Sequence, residues 1–188
     1  PNHPTTTTLA GISRREVQEI KQRAPDLDIL SFQVYGKIEQ LPKQVRDYGW
    51  EGPYMVTEWG ATGHWEVPRT SWGVPIEENS SVKAKNYLKR YQNSIQKDTT
   101  QCIGSYVFLW GQKQERTPTW YGIFTEDGSA TESVDVMEYL WTGNWPQNRS
   151  PIIESFQLNN KDAYSNIKLA ANQSYQAEVK SSDPDGDK

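Results

Sequence analysis

The stretch GPYMVTEWG, residues 52–60, decides how this chain is read. Tyr54, Met55, Val56 and Thr57 form a short β-prone run opened by Gly52-Pro53, and the run delivers a carboxylate, Glu58, followed by Trp59 and closed by Gly60. A solvated turn gives its acid no aromatic neighbour. A core position does not take an ionisable group either, because burying one unpaired costs several kcal/mol. The acid is therefore expected at the end of a strand, facing a cavity.

The flanking sequence repeats one pattern. TTTTLA, residues 5–10, is β-branched and predicts a strand; Ser13-Arg14-Arg15-Glu16 fits a capping box, with Val17, Ile20 and Ala24 at helical spacing behind it. LDILSFQVY, residues 27–35, predicts a second strand, and Ile38, Leu41, Val45 and Tyr48 a second helical face that Gly49 is placed to stop. The third strand is PYMVTE, residues 53–58. A long loop with His64, Trp65 and Trp72 then leads to Ala84, Tyr87, Leu88, Tyr91 and Ile95, the strongest amphipathic pattern in the chain. CIGSYVFLW, residues 102–110, predicts a fourth strand, and a second capping box from Ser129 to Glu132 opens a helix through Val134, Met137 and Leu140.

Four β-α units in succession predict an α/β fold with a parallel sheet and helices outside it. A flavodoxin-like or Rossmann sheet competes, but no Gly-rich phosphate loop follows any strand. A TIM (β/α)8 barrel spends roughly 30 residues per unit, so residues 1–143 would supply about half of one. Beyond Trp145-Pro146 the texture changes. Residues 144–151 read as a linker, and 152–188, which alternate apolar and polar positions, as the start of a β-sandwich (Ig-like) domain. Asp183, Asp185 and Asp187 read as an acidic inter-strand turn, because Gly186 does not fall where an EF-hand loop needs its glycine.

Composition narrows the function. With 188 residues, a net charge of −4 and no Lys/Arg run, nothing suggests a phosphate-tracking surface, and nucleic acid is not expected as a partner. Eight Trp and ten Tyr against four Phe suit carbohydrate, whose C–H faces stack on rings while its hydroxyls meet polar tips; ordinary core packing explains the same counts equally well. The single Cys102 excludes a disulfide framework, and two histidines, His3 and His64, make a multi-histidine metal site improbable. No metal and no cofactor are expected, and no apolar run approaches a membrane span. The opening Pro1-Asn2-His3-Pro4 reads like the middle of a longer chain.

In a barrel, catalytic side chains sit at the C-terminal ends of strands. Three strands end in such groups: Gln33 and Tyr35, Glu58 and Trp59, and Trp110. In that order HPTTTTLAG, DLDILSFQVYG, YMVTEWG and SYVFLWG resemble the fifth to eighth strands of the retaining glycoside hydrolases built on a (β/α)8 barrel, the β-galactosidase and β-glucuronidase-like superfamily with paired glutamates after strands four and seven. The resemblance covers residues 1 to about 143. It implies the C-terminal half of a barrel, strands 5–8, acting on an oligo- or polysaccharide. Glu58 would be the nucleophile that forms a glycosyl-enzyme intermediate, Tyr35 the hydroxyl that contacts it, and Trp110 the aromatic floor of the sugar site. Gln33 stands where the pattern often has Asn. Trp59, and His64 and Trp65 on the following loop, are expected to touch substrate, and His3 to be structural.

The acid/base of the pattern follows strand four, outside residues 1–143, so these residues alone are expected not to turn over, and to associate with themselves or with a missing barrel half. Secretion or a periplasmic location follows from the resemblance. Sequons stand at Asn79, Asn148 and Asn172. A transglycosylase of the same superfamily would use the same residues. A non-catalytic carbohydrate-binding protein on a degenerate barrel would keep the aromatics but need not keep Glu58.

Overall fold

The structure, a computed structural model, describes residues 2–187. It forms two compact units: the chain up to Ala61 with Leu88–Leu109, and Thr62–Tyr87 with the chain from Trp110 onward.

The first unit is built on four strands, β1 (Thr6–Ala10), β2 (Ile29–Gln33), β3 (Tyr54–Gly60) and β4 (Cys102–Phe108), all parallel and in chain order. In chain order between them come α1 (Arg14–Arg23), α2 (Leu41–Asp47) entered through a 3-10 turn at Ile38–Gln40, and α3 (Ser80–Arg90), of which the part from Leu88 on belongs to this unit and continues as a π-helix over Tyr91–Gln96. Ser13 caps α1 as its sequence predicts, accepting from the Glu16 amide while its hydroxyl donates to the Glu16 carboxylate.

One face of the sheet is packed. Leu30, Phe32, Tyr54, Val56 and Trp59 are buried from solvent, as are Val17, Ile38, Leu41, Val45 and Ile95 of the helical segments. Trp59 packs its ring on Tyr91 at 5.8 Å, and Arg90 donates to the Gly60 carbonyl at 2.8 Å. The outer strands are less covered: Thr6, Thr7 and Thr8 are exposed, and so are Ile103 and Tyr106 of β4. Cover is greatest at the middle of the sheet, where Leu30, Ser31 and Phe32 of β2 are all fully buried.

At the N-terminal ends of β3 and β4 lies a buried polar knot. Asp98 accepts from the Arg46 guanidinium, from Tyr54 Oη at 2.8 Å and from Thr100 Oγ1 at 2.8 Å. Burial works to raise the Asp98 carboxyl, but the donors from Arg46, Tyr54 and Thr100 outweigh it and hold the group below the usual carboxylate range. Burial likewise pushes the Tyr54 phenol and the Cys102 thiol up, so Cys102 is a thiol rather than a reactive thiolate. Because the folded value of Asp98 is depressed, its contribution is complete above the unfolded value of about 3.9 and is lost as pH falls through the folded one. Asp98→Ala is expected to cost about 2–4 kcal/mol in urea unfolding at neutral pH, since it leaves the Tyr54 hydroxyl buried without an acceptor. An unchanged midpoint in urea would show that the knot contributes nothing.

The second unit holds α4 (Glu132–Thr142) and an antiparallel pair, β5 (Ile152–Leu158) with β6 (Ala177–Ser182). One expectation is corrected here. Ser129 does not cap α4: it sits in a turn where its amide donates to Asp127, and the cap position is Thr131, whose hydroxyl donates to the Ile123 carbonyl and accepts from no helix amide. α4 runs through Val134, Met137 and Leu140 as expected, and its buried residues are Glu132, Ser133, Asp135, Val136 and Met137. The acidic run follows β6, where Asp183 Oδ1 accepts from the amides of Asp185 and Asp187.

Candidate active site

β2 and β3 pair residue for residue from Leu30↔Tyr54 through Phe32↔Val56, and the next pair is Gln33↔Glu58. Thr57 is skipped. On the other side of β3, Val56 pairs Ser105 and Trp59 pairs Val107, so β3 spends one residue more than β4 over the same span. This is a β-bulge, one extra residue that reverses which face the following side chains take. Strict alternation would put Glu58 on the same side as Tyr54 and Val56, in the apolar core. With the bulge, Glu58 takes the face of Met55, Ser31 and Gln33, and Trp59 takes the core. Thr57 Oγ1 lies 3.4 Å from the Phe32 carbonyl at the point where the ladder slips.

Thus aimed, the Glu58 carboxylate meets two donors from the end of β2 and the residues after it. Tyr35 Oη donates to Oε1 at 2.5 Å, and Gln33 Nε2 donates to Oε2 at 3.2 Å. Each oxygen therefore has its own donor, one short O–H···O⁻ bond and one longer amide bond. Tyr35 is largely buried, and its ring meets Phe108 edge-on at 6.2 Å, with an interplanar angle of 87°. Phe108 ends β4 opposite Gly60, and the Phe108–Leu109 peptide is cis.

The structure thus gathers Gln33, Tyr35 and Glu58 into one hydrogen-bonded group. Trp59 is corrected: it is wholly buried in the core against Tyr91 and presents no surface to a ligand.

Three other expected residues belong to the second unit. His64 packs edge-on to Trp65 at 4.9 Å; its Nε2 lies 4.0 Å from Glu115 Oε1, and its backbone amide donates to Tyr121 Oη at 3.1 Å. Trp65 is more than half exposed. So is Trp110, which contacts Phe124 at 5.2 Å and Trp141 at 5.7 Å. Nearby in the same unit Lys83 is buried and pairs with Glu77, while donating to the Thr119 carbonyl at 2.7 Å. Burial draws the Lys83 ammonium below the usual lysine range against the opposing pull of Glu77. Among the described residues no group of His, Cys, Asp and Glu is arranged to hold a metal ion.

Sequence reasoning missed Phe108. It took the fourth strand to Trp110, whereas the ladder stops at Phe108, two residues earlier. Gly60 marks the end of β3, and its cross-strand partner is the aromatic that reaches Tyr35.

No family model matches the chain, and no curated protein matches it. Among solved structures, similar chains include a GH2 β-galacturonidase from Eisenbergiella tayi bound to galacturonate, with 19% identity over 63% of this chain and 25% of that one, at a TM-score of 0.45. A Faecalibacterium prausnitzii β-glucuronidase has 14% identity over 73% of this chain and 24% of that one, at 0.48. A GH39 β-xylosidase from Caulobacter crescentus has 16% identity over 78% and 34%, at 0.49. These structural neighbours are glycoside hydrolases, and this chain spans about a quarter of the length of the first two. Identity and TM-score at this level transfer no activity, so the functional reading rests on the geometry around Glu58.

Proposed function

We propose that the chain is the nucleophile-bearing part of a retaining glycoside hydrolase, the C-terminal half of a (β/α)8 barrel followed by the start of an Ig-like module. The observation that carries this reading is the Glu58 carboxylate, turned by a bulge out of the core at the C-terminal end of a parallel strand and met on each oxygen by a neutral donor, Tyr35 and Gln33. A carboxylate paired with a cation has its charge taken up by that partner. One held by neutral donors, on a sheet face that also carries an aromatic ring, keeps its negative charge available to an electrophile.

In this mechanism an oxygen of Glu58 attacks the anomeric carbon as the glycosidic C–O bond breaks, and the leaving alkoxide takes a proton from a second carboxyl group. Water, deprotonated by that same group, then attacks the anomeric carbon and releases Glu58. The two carboxyl groups of a retaining pair stand roughly 5–5.5 Å apart. The second would come from a strand that residues 1–143 do not include. Phe108 supplies an apolar wall beside Tyr35. Sugar and linkage are set by loops of the whole barrel.

The test is covalent trapping. A panel of dinitrophenyl glycosides, with fluorine in place of the hydroxyl next to the anomeric carbon, supplies a leaving group that needs no proton; the bond from Glu58 to the anomeric carbon forms as the phenolate departs with its electron pair. A stoichiometric mass increase mapping to the peptide that contains Glu58 is expected. Labelling elsewhere, or none with any sugar of the panel, would sink the reading.

The half-barrel reading has a second expected consequence. β1 and β4 are the edges of the four-stranded sheet, and Ile103 and Tyr106 of β4 are exposed. The 188 residues alone are expected to sediment as dimers or larger species at tens of micromolar. A clean monomer at that concentration would argue against the half-barrel.

A further inference from the structure

We infer that Gln33 is a positioning residue that selects which oxygen of Glu58 attacks, an inference that rests on the glycosidase reading above. The two carboxylate oxygens are not equivalent in this structure. Oε1 takes the Tyr35 hydroxyl in a 2.5 Å bond; Oε2 takes the Gln33 amide at 3.2 Å. A short bond from a phenol withdraws charge from its acceptor more than a long bond from an amide does. Oε2 therefore keeps the greater electron density and is the attacking atom, while Oε1 becomes the carbonyl oxygen of the glycosyl ester, still held by Tyr35.

Gln33 has the properties this task needs. It is the last residue of β2 and the direct cross-strand partner of Glu58, a pairing that exists only because Thr57 is bulged out. Only the nitrogen end of its amide can donate to a carboxylate, so the bond fixes the amide orientation as well as the rotation of the carboxylate about its last torsion. The amide brings no formal charge. A cation here would hold Oε2 in a strong ion pair and oppose its attack; a shorter side chain would lose reach by a methylene.

The step to be measured is the one in which the Oε2–C1 bond forms, the C1–O bond to the aryl group breaks and dinitrophenolate departs with the electron pair; no proton moves. The full chain is reacted with the fluorinated dinitrophenyl glycoside that labels it best, and the maximal labelling rate is separated from half-saturation. Q33L is expected to lower the maximal rate about 10-fold or more, the loss of one hydrogen bond to a charged group, with half-saturation unchanged and the urea midpoint retained. Q33E keeps the shape but donates only when its introduced carboxyl is protonated. Its rate relative to the unmodified chain is expected to recover as pH is lowered from about 7 to about 5, in the range where a carboxyl beside another takes up a proton.

A purely structural role for Gln33 would move neither the rate at constant half-saturation nor the pH profile of Q33E. If the unmodified chain labels at Glu58 and Q33L labels at the same rate, the inference falls and the glycosidase reading stands. If Q33L raises half-saturation alone, Gln33 is a sugar-binding residue and the inference falls. If the unmodified chain is not labelled with any glycoside, the reading falls and takes the inference with it.

Discussion

Glu58→Gln is expected to slow covalent labelling by at least about ten-thousandfold, the scale on which removing a nucleophile acts when no other group can take its place. The substitution is nearly isosteric, and an amide in this position can still meet both Tyr35 and Gln33, so the fold is expected to persist. What it loses is the negative charge and the electron pair that bonds to the anomeric carbon. Glu58→Ala provides the complementary result: the truncated side chain leaves room beside Tyr35 for azide, which is expected to displace dinitrophenolate from the dinitrophenyl glycoside and to appear as a glycosyl azide. Aryl glycoside hydrolysis by the unmodified chain that survived Glu58→Gln would rule out the mechanism.

The second large effect is on stability and comes from the neighbouring residue. Trp59→Ala is expected to cost about 3–5 kcal/mol, the range for deleting a large buried aromatic, because Trp59 is wholly buried against Tyr91. Folded domains are stable by roughly 5–15 kcal/mol, so this single change consumes a large fraction of the total. Trp59→Phe keeps most of the ring contact and is expected to cost clearly less. Had Trp59 been a sugar-contacting residue, the order would differ: Trp59→Ala would weaken binding and leave the urea midpoint where it was. A midpoint within error of the unmodified chain would therefore overturn the burial of Trp59.

Much of the first unit was legible because its signals are local. The threonine run, the Ser13 capping box and the spacing of Ile38, Leu41 and Val45 each specify their element without help from distant residues. The boundaries of α4 were less so. Ser129 and Glu132 have the right spacing for a capping box, but the Asp127 side chain binds the Ser129 amide in a turn, and Thr131 takes the cap position. Short polar residues compete for the same amides, and spacing alone does not say which wins.

At the candidate site, Gln33, Tyr35 and Glu58 could be named from strand ends, whereas the faces of Glu58 and Trp59 could not. A period-2 reading of YMVTEW sends Glu58 inward with Tyr54 and Val56, and Trp59 outward with Met55. The skipped pairing at Thr57 is a property of three strands together and leaves no mark in the sequence of one. The same difficulty hid Phe108, whose role depends on where the ladder with β3 stops.

The bulge has a consequence best put as a matter of parity. Before Thr57, even-numbered residues of β3 face the helices; after it, odd-numbered residues do, with Trp59 taking the side that Tyr54 and Val56 hold. One phase change thus serves two neighbours of opposite character, an acid turned out of the core and an indole hidden in it. Neither can be put right alone: any alteration that restored even phase would submerge the carboxylate and surface the ring in the same stroke. Chemistry and cohesion in this sheet are therefore inherited together, through a single residue that itself takes part in neither.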